Sequence, residues 1–478
     1  MEYNTMKTLN DMIDEPPRRT PVLYRTDVVV VGGGPAGFIA ALAAARTGAD
    51  VVLIERSNCL GGNATSGLVL TVGGFHSWTE GHELVVDGIP GEFRRKLSAR
   101  GGMRSSNGVV QDFDPEQFKL LADEMIIDAG IKVVLHALGV SPLMSGDRVE
   151  GVVIESKSGR HAITAKVTID ATGDADIAFR SGAECVKSSV LQPATMCFSV
   201  SGVSPVFPSR TDAAQPQPDT CDGIAGDSAA YREWRNARWR SQNPLYETPP
   251  NRFLGDAMHD AHARGELDSF GGPWGMGLYE NELWINSVRQ YIDATDAAAL
   301  TAGEMNGRKQ AAQIVSFWKS NIPGFQHCRL SLTASCLGVR ETRRIIGVET
   351  LTAQHITENP SMDDSIAMGC WPVDVHPDAN NKYTDQNLAG VGYTPKPYQI
   401  PYGCLVPKSV DGMLAAGRCI SATREGMGSS RVMATCMALG DAAGTAAALA
   451  ARHDLKPRHV DIRLLRRELH ARNAITEL

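Results

Sequence analysis

The first strong pattern along the chain is a short run of apolar, β-branched residues, Asp27 to Val31 ("DVVVV"), that stops at the glycine-rich "GGGPAG". An alanine-rich segment follows from Phe38 to Thr47 and is closed by Gly48, after which "DVVLIE" repeats the apolar run. Short β-branched runs predict strands, and the longer apolar segment between them predicts a helix. The pattern therefore predicts a βαβ unit with tight turns.

The glycines of this unit have the spacing of a dinucleotide-binding turn. Gly32 allows a sharp turn out of the strand, Gly34 allows close approach of a diphosphate, and Gly37 allows the helix to pack on the strand. The helix N-terminus then faces the phosphates, where its N–H groups favour negative charge. Glu55, at the end of the second strand, is placed to accept hydrogen bonds from the ribose hydroxyls of an adenosine. A glycine-rich turn alone is weak evidence, but here strand, glycines, helix, strand and acid occur in order.

Two further elements are predicted downstream. The segment "DPEQFKLLADEMIIDAG" has Asp114 as a helix N-cap, Pro115 at the first helical position and Gly130 beyond the C-terminus. The segment "RVEGVVIESKSGRHAITAKVTID" alternates apolar and polar residues and turns at Ser158-Gly159, which predicts a small antiparallel meander.

The pattern changes after residue 189. Residues 204–228 are rich in Pro, Asp, Gln and Ala without periodicity, which predicts an exposed or flexible loop. The segment "NELWINSVRQ" predicts a strand, and "LTAGEMNGRKQAAQIVSFWKSNIPG" predicts a helix with Thr301 and Glu304 as a capping box. These changes divide the chain into an N-terminal extension (1–25), a nucleotide-binding domain in two parts (26–189 and 411–478) and an inserted α+β domain (190–410).

The segment "GMGSSRVMATCMALG", residues 426–440, places a Gly/Ser stretch ahead of a helix of small and apolar residues. We expect the Gly/Ser stretch to form a turn and Arg431 to open the helix. Small residues recur in this helix at helical spacing, namely Gly440, Ala443, Gly444 and Ala447, which predicts close packing against the first helix. An alanine-rich core helix without a ligand role is the alternative.

Composition narrows the classes of function. The chain has 478 residues, of which 43% are hydrophobic and 21% charged, so it is long enough for two or three domains. Its net charge of −7 leaves no basic surface for phosphate, and we expect neither nucleic acid nor an anionic membrane as a partner. Residues 432–451 have the length of a membrane span but are mostly Ala, Gly, Thr and Met, which favours a buried helix.

The ten cysteines contain no CxxC pair, which argues against a zinc ribbon, an iron–sulfur cluster or a disulfide scaffold. The N-terminal residues show no export signal. We therefore expect a cytoplasmic protein with reduced thiols. A homo-oligomer is compatible with the sequence.

The motifs together resemble those of FAD-dependent oxidoreductases with the glutathione-reductase-like fold. The resemblance rests on "VVVVGGGPAG" with Glu55-Arg56 and Gly61-Gly62, on "TIDATGDAD", and on "MLAAGRCIS", where Gly417-Arg418 stand in place of the Gly-Asp of many relatives. A bacterial subgroup of these proteins is similar also in "GVRETRRIIGVETLT", "WPVDVHP" and "YQIPYGCLVPK". The resemblance covers roughly residues 27–451 and is specific for fold and cofactor rather than for substrate.

The resemblance implies an α/β fold: a Rossmann-type FAD-binding domain, with a parallel sheet and an antiparallel meander, plus an inserted α+β substrate domain. It implies FAD as the cofactor. The helix that follows Ser430 and Arg431 would point its N-terminus at the flavin ring. The residues expected to contact FAD are Gly32, Gly34, Pro35, Ala36, Gly37, Glu55, Arg56, Gly61, Gly62, Asn63, Ala171, Thr172, Gly173, Gly417, Arg418, Ser430, Arg431 and Val432.

Two absences from the sequence bear on the chemistry. No cysteine pair follows Gly61-Gly62, which argues against a dithiol relay, and no second GxGxxG motif provides an NAD(P)H domain. We therefore expect direct hydride transfer between flavin N5 and a small polar metabolite, such as an alcohol, a sugar, a hydroxy acid or an amine. Oxygen, a quinone or a carrier protein would be the external electron acceptor. Reduction of an activated C=C bond, or a role within an electron-transfer complex, are the alternatives.

Four side chains are candidates for catalysis. His376 with Asp374, two residues apart on one predicted strand face, would form a base and its orienting partner. Tyr402 would donate to a substrate oxygen, or else pack the domain junction. Arg340 belongs to the basic cluster "RETRR", which suits a carboxylate but also suits salt bridges between domains. Two ligands alone do not define a metal site, so no metal is expected.

Four further side chains bear on the substrate pocket. Trp284 and Asn286 alternate on the predicted strand "LWIN" and would line the pocket or be buried in the core. Arg343 and Arg344 complete the basic cluster with Arg340.

Overall fold

The computed structural model describes residues 13–79, 81–105, 109–203, 250–276, 282–376 and 393–478. The predicted loop 204–228 lies outside these residues. Eighteen strands are described: β1 (Val22–Val31), β2 (Val51–Ile54), β3 (Thr71–Val72), β4 (Met103–Ser105), β5 (Gln111–Phe113), β6 (Lys132–Val134), β7 (Leu138–Ser145), β8 (Arg148–Ser156), β9 (Gly159–Asp170), β10 (Cys185–Lys187), β11 (Phe198–Ser201), β12 (Phe270–Met276), β13 (Glu282–Val288), β14 (Arg329–Thr333), β15 (Arg343–Ile345), β16 (Ser365–Gly369), β17 (Tyr398–Pro401) and β18 (Met413–Ala415).

The structure describes ten α-helices. They are α1 (Pro35–Arg46), α2 (Ile89–Ala99), α3 (Pro115–Asp128), α4 (Asp176–Arg180), α5 (Pro250–Ala263), α6 (Ala297–Asn321), α7 (Ala353–Glu358), α8 (Arg424–Ser430), α9 (Met433–Arg452) and α10 (Ile462–His470).

The main sheet has seven strands in the order β6-β2-β1-β9-β8-β7, with β18 pairing on β9. Strands β6, β2, β1, β9 and β18 are parallel, whereas β7, β8 and β9 form an antiparallel meander. Val28 to Val31 of β1 are almost fully buried, as expected for a parallel strand covered on both faces. The predicted βαβ unit and the predicted meander are both confirmed, although β1 begins at Val22 rather than near Asp27.

Helices α1 and α9 pack backbone against backbone beside this sheet. A Cβ atom placed on Gly440 would lie 2.2 Å from the carbonyl oxygen of Ala36, and one on Gly444 would lie 2.1 Å from that of Ala40. The small residues of the late helix therefore permit this close approach, as the sequence predicted.

A second region consists of an antiparallel sheet in the order β12-β13-β11-β14, packed by α5 and α6. Trp318 of α6 is fully buried next to Phe198 of β11, with ring centroids 6.1 Å apart. The α/β class with an additional α+β region is thus confirmed. The domain boundaries themselves stay predictions.

Two local predictions were wrong. Helix α6 begins after Asp296, whose carboxylate caps Ala299, while Glu304 of the predicted capping box accepts a hydrogen bond from Leu337 instead. The stretch ahead of Arg431 forms helix α8 rather than a turn, and α9 begins only at Met433. Asp296 takes the capping position of α6 that was predicted for Thr301, and the Thr423 hydroxyl caps α8 by accepting from the Gly426 N–H.

Among the described residues, α9 is the single helix long and apolar enough to cross a membrane, and 94% of its most apolar window is buried inside the protein.

Candidate functional site

A cavity of about 480 Å³ opens at the carboxyl ends of the parallel strands. Because these ends meet at one sheet edge, the turns after β1, β2, β9 and β18 all reach the cavity. The predicted cofactor residues that line it are Gly32, Gly34, Pro35, Ala36, Glu55, Arg56, Gly62, Asn63, Ala171, Thr172, Gly173, Gly417, Arg418, Arg431 and Val432. Of the predicted catalytic residues, Arg340, Asp374 and His376 line the same cavity.

Three predicted cofactor residues, Gly37, Gly61 and Ser430, do not line the cavity. Gly37 supports the turn from behind, since a Cβ atom there would lie 1.8 Å from the carbonyl oxygen of Gly32. Gly61 has a positive φ of 105°, and a Cβ atom there would meet Thr65. Ser430 is buried at the end of α8. Their contribution to the cavity is therefore indirect.

The prediction for Tyr402 was wrong as regards position. Its hydroxyl lies outside the cavity and donates a hydrogen bond of 2.8 Å to the carbonyl oxygen of Pro457. Burial raises the pKa of this phenol far above its ordinary value, so the hydroxyl stays protonated. Tyr402 therefore packs the junction between segments, the alternative foreseen for it.

Glu55 and the glycine turn form the end of the cavity that fits an adenosine diphosphate. The Gly33 N–H donates to Oε2 of Glu55 at 2.6 Å, and the Ser57 N–H donates to Oε1 at 2.7 Å. Each carboxylate oxygen keeps a further lone pair for a ribose hydroxyl. Gly34 caps α1 without a side chain, and nothing lies within 4 Å of its Cβ position. The first turn of α1 is thus open to a diphosphate.

The turn after β9 is fixed by Asp170, a residue that the sequence analysis did not single out. Its carboxylate accepts hydrogen bonds from the N–H groups of Thr172, Ile177 and Ala178, at 2.9–3.1 Å, and from the Thr172 hydroxyl at 2.7 Å. Its position directly before "ATG" was the signal available in the sequence. Asp170 therefore holds the strand-to-helix turn that lines the cavity.

Arg418 stands where many relatives have an aspartate, and the structure shows how its charge is balanced. Its Nη2 donates to Oδ1 of Asp174 at 3.0 Å, and Asp174 also accepts from the Thr342 hydroxyl at 2.6 Å. A Cβ atom on Gly173 would lie 2.6 Å from the same Nη2, so the glycine makes room for the guanidinium. Nη1 of Arg418 is buried and has no partner among the described residues, which leaves a donor for a cofactor oxygen.

His376, Asp374 and Arg431 form a polar group elsewhere on the cavity wall. Nε2 of His376 lies 3.6 Å from Oδ1 of Asp374, and Arg431 Nη2 donates to Oδ2 of Asp374 at 2.8 Å. The two residues lie in an irregular segment after β16, not on a strand as predicted, because pairing of β16 ends at Gly369. The backbone N–H of His376 donates a hydrogen bond of 3.1 Å to Oε1 of Gln192.

The electrostatics of this group keep His376 neutral and Asp374 charged. Burial and the nearby Arg340 guanidinium hold the pKa of His376 well below its ordinary value. Burial opposes ionisation of Asp374, but the nearby positive charges, Arg431 and Arg340 among them, together outweigh burial and lower the pKa of this carboxyl. The pair can therefore present a neutral imidazole whose orientation a carboxylate helps to set.

The basic cluster of the sequence is divided in the structure. Arg340 lines the cavity and donates from Nη1 to the carbonyl oxygen of Pro193 at 2.7 Å. Arg343 pairs with Asp176 at 2.5 Å, and Arg344 pairs with the buried Glu341 at 2.9 Å. A salt bridge between segments, the alternative interpretation, thus accounts for Arg343, whereas Arg344 pairs with a carboxylate of its own segment.

Of the two residues of the inserted region that were expected to line the pocket, one does so. Asn286 lines the cavity, whereas Trp284 is buried in the core. Trp274 lines the cavity as well, and the Arg289 guanidinium lies over its ring at 5.2 Å from the centroid. Sequence analysis missed Trp274 and Arg289, since neither belongs to a motif. No group of three or more potential metal ligands occurs among the described residues.

The parallel sheet, the glycine turn, Glu55 and the open N-terminus of α1 define a dinucleotide-binding protein of the flavoprotein class. The chain belongs to the family of FAD dependent oxidoreductases, which it matches over residues 27–469. It is therefore an enzyme with FAD as its cofactor, and the cavity residues fit that cofactor.

Individual relatives match only part of the chain. Thiamine thiazole synthase of Methanococcus vannielii is 31% identical over 161 residues, which is 32% of this chain and 57% of that protein. The enzyme of the same name from Sulfolobus acidocaldarius is 31% identical over 163 residues, with the same coverage. The chain thus spans 57% of the length of these curated relatives.

Solved structures resemble the chain more distantly. A geranylgeranyl bacteriochlorophyll reductase-like protein from Thermoplasma acidophilum aligns over 94% of this chain and 83% of its own, with 11% identity and a TM-score of 0.46. THI4 of Thermovibrio ammonificans aligns over 33% of this chain and 61% of its own, with 24% identity and a TM-score of 0.26.

Proposed function

We propose that this enzyme exchanges a hydride directly between FAD and a small polar metabolite bearing an alcohol or amine carbon. The observation that carries the proposal is that the cofactor motifs and the His376–Asp374 pair line one cavity. FAD bound there supplies the hydride acceptor, or the donor in the reverse direction. We also propose that the chain belongs to the flavoproteins with the glutathione-reductase-like fold, which its sequence motifs resemble.

His376 accepts the proton that the substrate loses. Because Nε2 of His376 faces Asp374, its other ring nitrogen, Nδ1, is the one that takes a proton from the substrate hydroxyl or amine. Asp374 stabilises the imidazolium that forms, and Arg431 keeps Asp374 ionised and in place. Proton removal at the substrate oxygen or nitrogen thus accompanies hydride loss from the adjacent carbon.

Direct transfer is favoured over a dithiol relay by the state of the cavity cysteines. Cys336 and Cys436 line the cavity, and burial raises the pKa of their thiols to about 11 and about 12. Both are therefore protonated at neutral pH and poor nucleophiles. The second substrate of the cycle, the electron acceptor, is proposed to be oxygen, a quinone or a carrier protein.

Arg340 favours a second candidate function, reduction of an activated C=C bond. A buried guanidinium on the cavity wall suits an unsaturated acid, because it polarises a carboxylate conjugated with the double bond. In this direction the metabolite receives the hydride and a proton.

Anaerobic mixing of the purified holoenzyme with alcohols, sugars, hydroxy acids, amines and unsaturated acids tests the proposal. We expect one class to bleach the oxidised flavin band at about 450 nm, since the cofactor reports its own reduction. His376→Gln should retain FAD and slow this bleaching by about 10²–10⁴-fold. Tyr402→Phe is the control, because its hydroxyl is outside the cavity.

One outcome would contradict oxidation of an alcohol or amine, and another would contradict the role of His376. If no class bleaches the flavin, but the dithionite-reduced enzyme is reoxidised by an unsaturated acid, the second candidate function is correct. If Tyr402→Phe slows bleaching as much as His376→Gln does, the assignment of the proton acceptor is wrong.

A further inference from the structure

Three arginines converge on the cavity region that holds His376, and their charges are not balanced there. Arg340 and Arg431 line the cavity, and Arg289 is buried behind Trp274. The mutual influence of the three is visible in the pKa of Arg340, which burial, Arg289 and Arg431 all lower. We refer to Arg289, Arg340 and Arg431 as the arginine pocket.

Only one described carboxylate faces the arginine pocket. Asp374 neutralises Arg431, and His376 is neutral, so two of the three guanidinium charges lack a described acidic partner in contact. Burying an unpaired charge is costly, and an anion that enters such a site removes that cost. The imbalance therefore points to a negatively charged ligand.

Unused hydrogen-bond donors also face this region. Nη2 of Arg289 and Nε of Arg431 are buried and have no partner among the described residues. Arg340 is held only by the Pro193 carbonyl among its described partners, which leaves most of its planar fork available. These donors match the two oxygens of a carboxylate, which arginine binds bidentately.

Asn286 adds an oriented donor. Its Oδ1 accepts from the Thr195 hydroxyl at 2.8 Å and from Arg289 Nη1 at 3.3 Å. With the amide oxygen used in this way, the NH₂ group is left to donate to a ligand in the cavity that Asn286 lines.

We propose that the arginine pocket and Asn286 bind the carboxylate of a small organic acid, which is the substrate; this rests on the proposed function. The indole walls of Trp274, 48% exposed, and Trp371 offer apolar surface for the carbon skeleton of the acid. An inorganic anion such as phosphate has no such skeleton. A hydroxy acid oxidised here, or an unsaturated acid reduced here, fits equally, because the carboxylate is common to both.

Calorimetric titration of the oxidised holoenzyme under anaerobic conditions tests the proposal through binding, because no electron acceptor is present to sustain turnover. The probes are succinate, lactate, propane-1,2-diol as the neutral analogue of lactate, and inorganic phosphate. We expect the two carboxylates to bind at least about tenfold more tightly than the diol, since a charge-assisted hydrogen bond is the stronger kind. Phosphate is expected to bind more weakly than either acid.

Three variants make the test specific. Arg340→Gln should weaken binding of the carboxylates by about 10–100-fold, and Arg340→Lys, which keeps the charge but loses the fork, should weaken it less. Arg264→Gln removes the same charge from an exposed surface pair with Glu266 and should leave binding unchanged. The visible spectrum of FAD shows that each variant still holds its cofactor. If Arg340→Gln loses FAD, the preference of the wild-type enzyme for lactate over the diol decides the question.

The possible failures are distinguishable. Equal affinity for lactate and the diol, or phosphate binding as tight as that of the acids, overturns the carboxylate site. The site is also overturned if Arg340→Gln leaves carboxylate binding intact and instead lowers the reduction potential of FAD, because the arginines would then serve the reduced cofactor. Tight, arginine-dependent binding of the acids, when no class of compound bleaches or reoxidises the flavin, upholds the site and refutes the proposed function alone.

Discussion

The contact between α1 and α9 allows a direct test of the fold, because it joins the helix that follows the cofactor turn to a helix about 400 residues later in the chain. We consider Gly440→Ala and Gly444→Ala. The new methyl groups would lie 2.2 Å from the carbonyl oxygen of Ala36 and 2.1 Å from that of Ala40. To reach even a 3.0 Å contact, the helices must separate by at least 0.8 Å.

Two opposing terms set the magnitude. Alanine is favoured over glycine in a helix interior by about 1 kcal/mol. Overpacking a tight interface costs about 1–3 kcal/mol, and the upper part of that range applies here because the obstacle is backbone rather than a movable side chain. We expect each variant to lose about 1–2 kcal/mol of unfolding free energy. FAD affinity should fall as well, since Ala36 lies in the first turn of α1.

The assay is urea unfolding of the holoprotein followed by flavin fluorescence, with FAD content measured after gel filtration. Gly255→Ala is the matched control, because this glycine of α5 has its nearest neighbour 3.6 Å from the Cβ position. The control should gain about 0.5–1 kcal/mol. If Gly440→Ala and Gly444→Ala are as stable as Gly255→Ala and keep their FAD, the helices are not in backbone contact and the reasoning fails.

Three further changes test other parts of the site and its support. Glu55→Gln should raise the Kd for FAD by about tenfold or more in titrations of the apoprotein, because the carboxylate orders the turn and accepts from Gly33; an unchanged Kd would refute its role. Glu341→Gln should cost about 3–5 kcal/mol in urea unfolding, because this buried carboxylate pairs with Arg344; a loss below about 1 kcal/mol would contradict this. His376 has a folded-state pKa below its unfolded value, so the unfolded chain takes up the proton first as pH falls. Wild-type stability should therefore fall relative to His376→Gln below about pH 6.5, by at most about 1.4 kcal/mol per pH unit, and parallel pH profiles would show that the imidazole titrates normally.

The cofactor end of the cavity could be predicted because its information is local. The residues from Asp27 to Glu55 encode a strand, a turn, a helix and a second strand in immediate succession, and such short-range patterns determine both the structure and the direction of the side chains. The same holds for the meander, where each strand pairs with the next.

The substrate end could be predicted only in part, because long-range packing brings its members together. Arg289 reaches the site through the pairing of β13 with β11 and β12, and nothing in its own segment marks it. Nothing near Arg418 in the sequence indicates a partner for its charge, because that partner, Asp174, lies 244 residues away. Tyr402 illustrates the opposite error: a motif suggested the cavity, and the fold turned the hydroxyl toward Pro457.

Charge links the binding of the substrate to the transfer of its proton. Burial and the Arg340 guanidinium hold the pKa of His376 down, so the imidazole of the free enzyme is a weak proton acceptor. A carboxylate seated on Arg340 cancels the contribution of the guanidinium and leaves that of burial unchanged. The proton affinity of His376 then rises in the substrate complex. Because kcat reports the complex and kcat/KM reports the free enzyme, an acidic substrate should give a higher pKa in the profile of kcat. A neutral substrate would give one pKa in both profiles, so this comparison tests the coupling between the arginine pocket and the base.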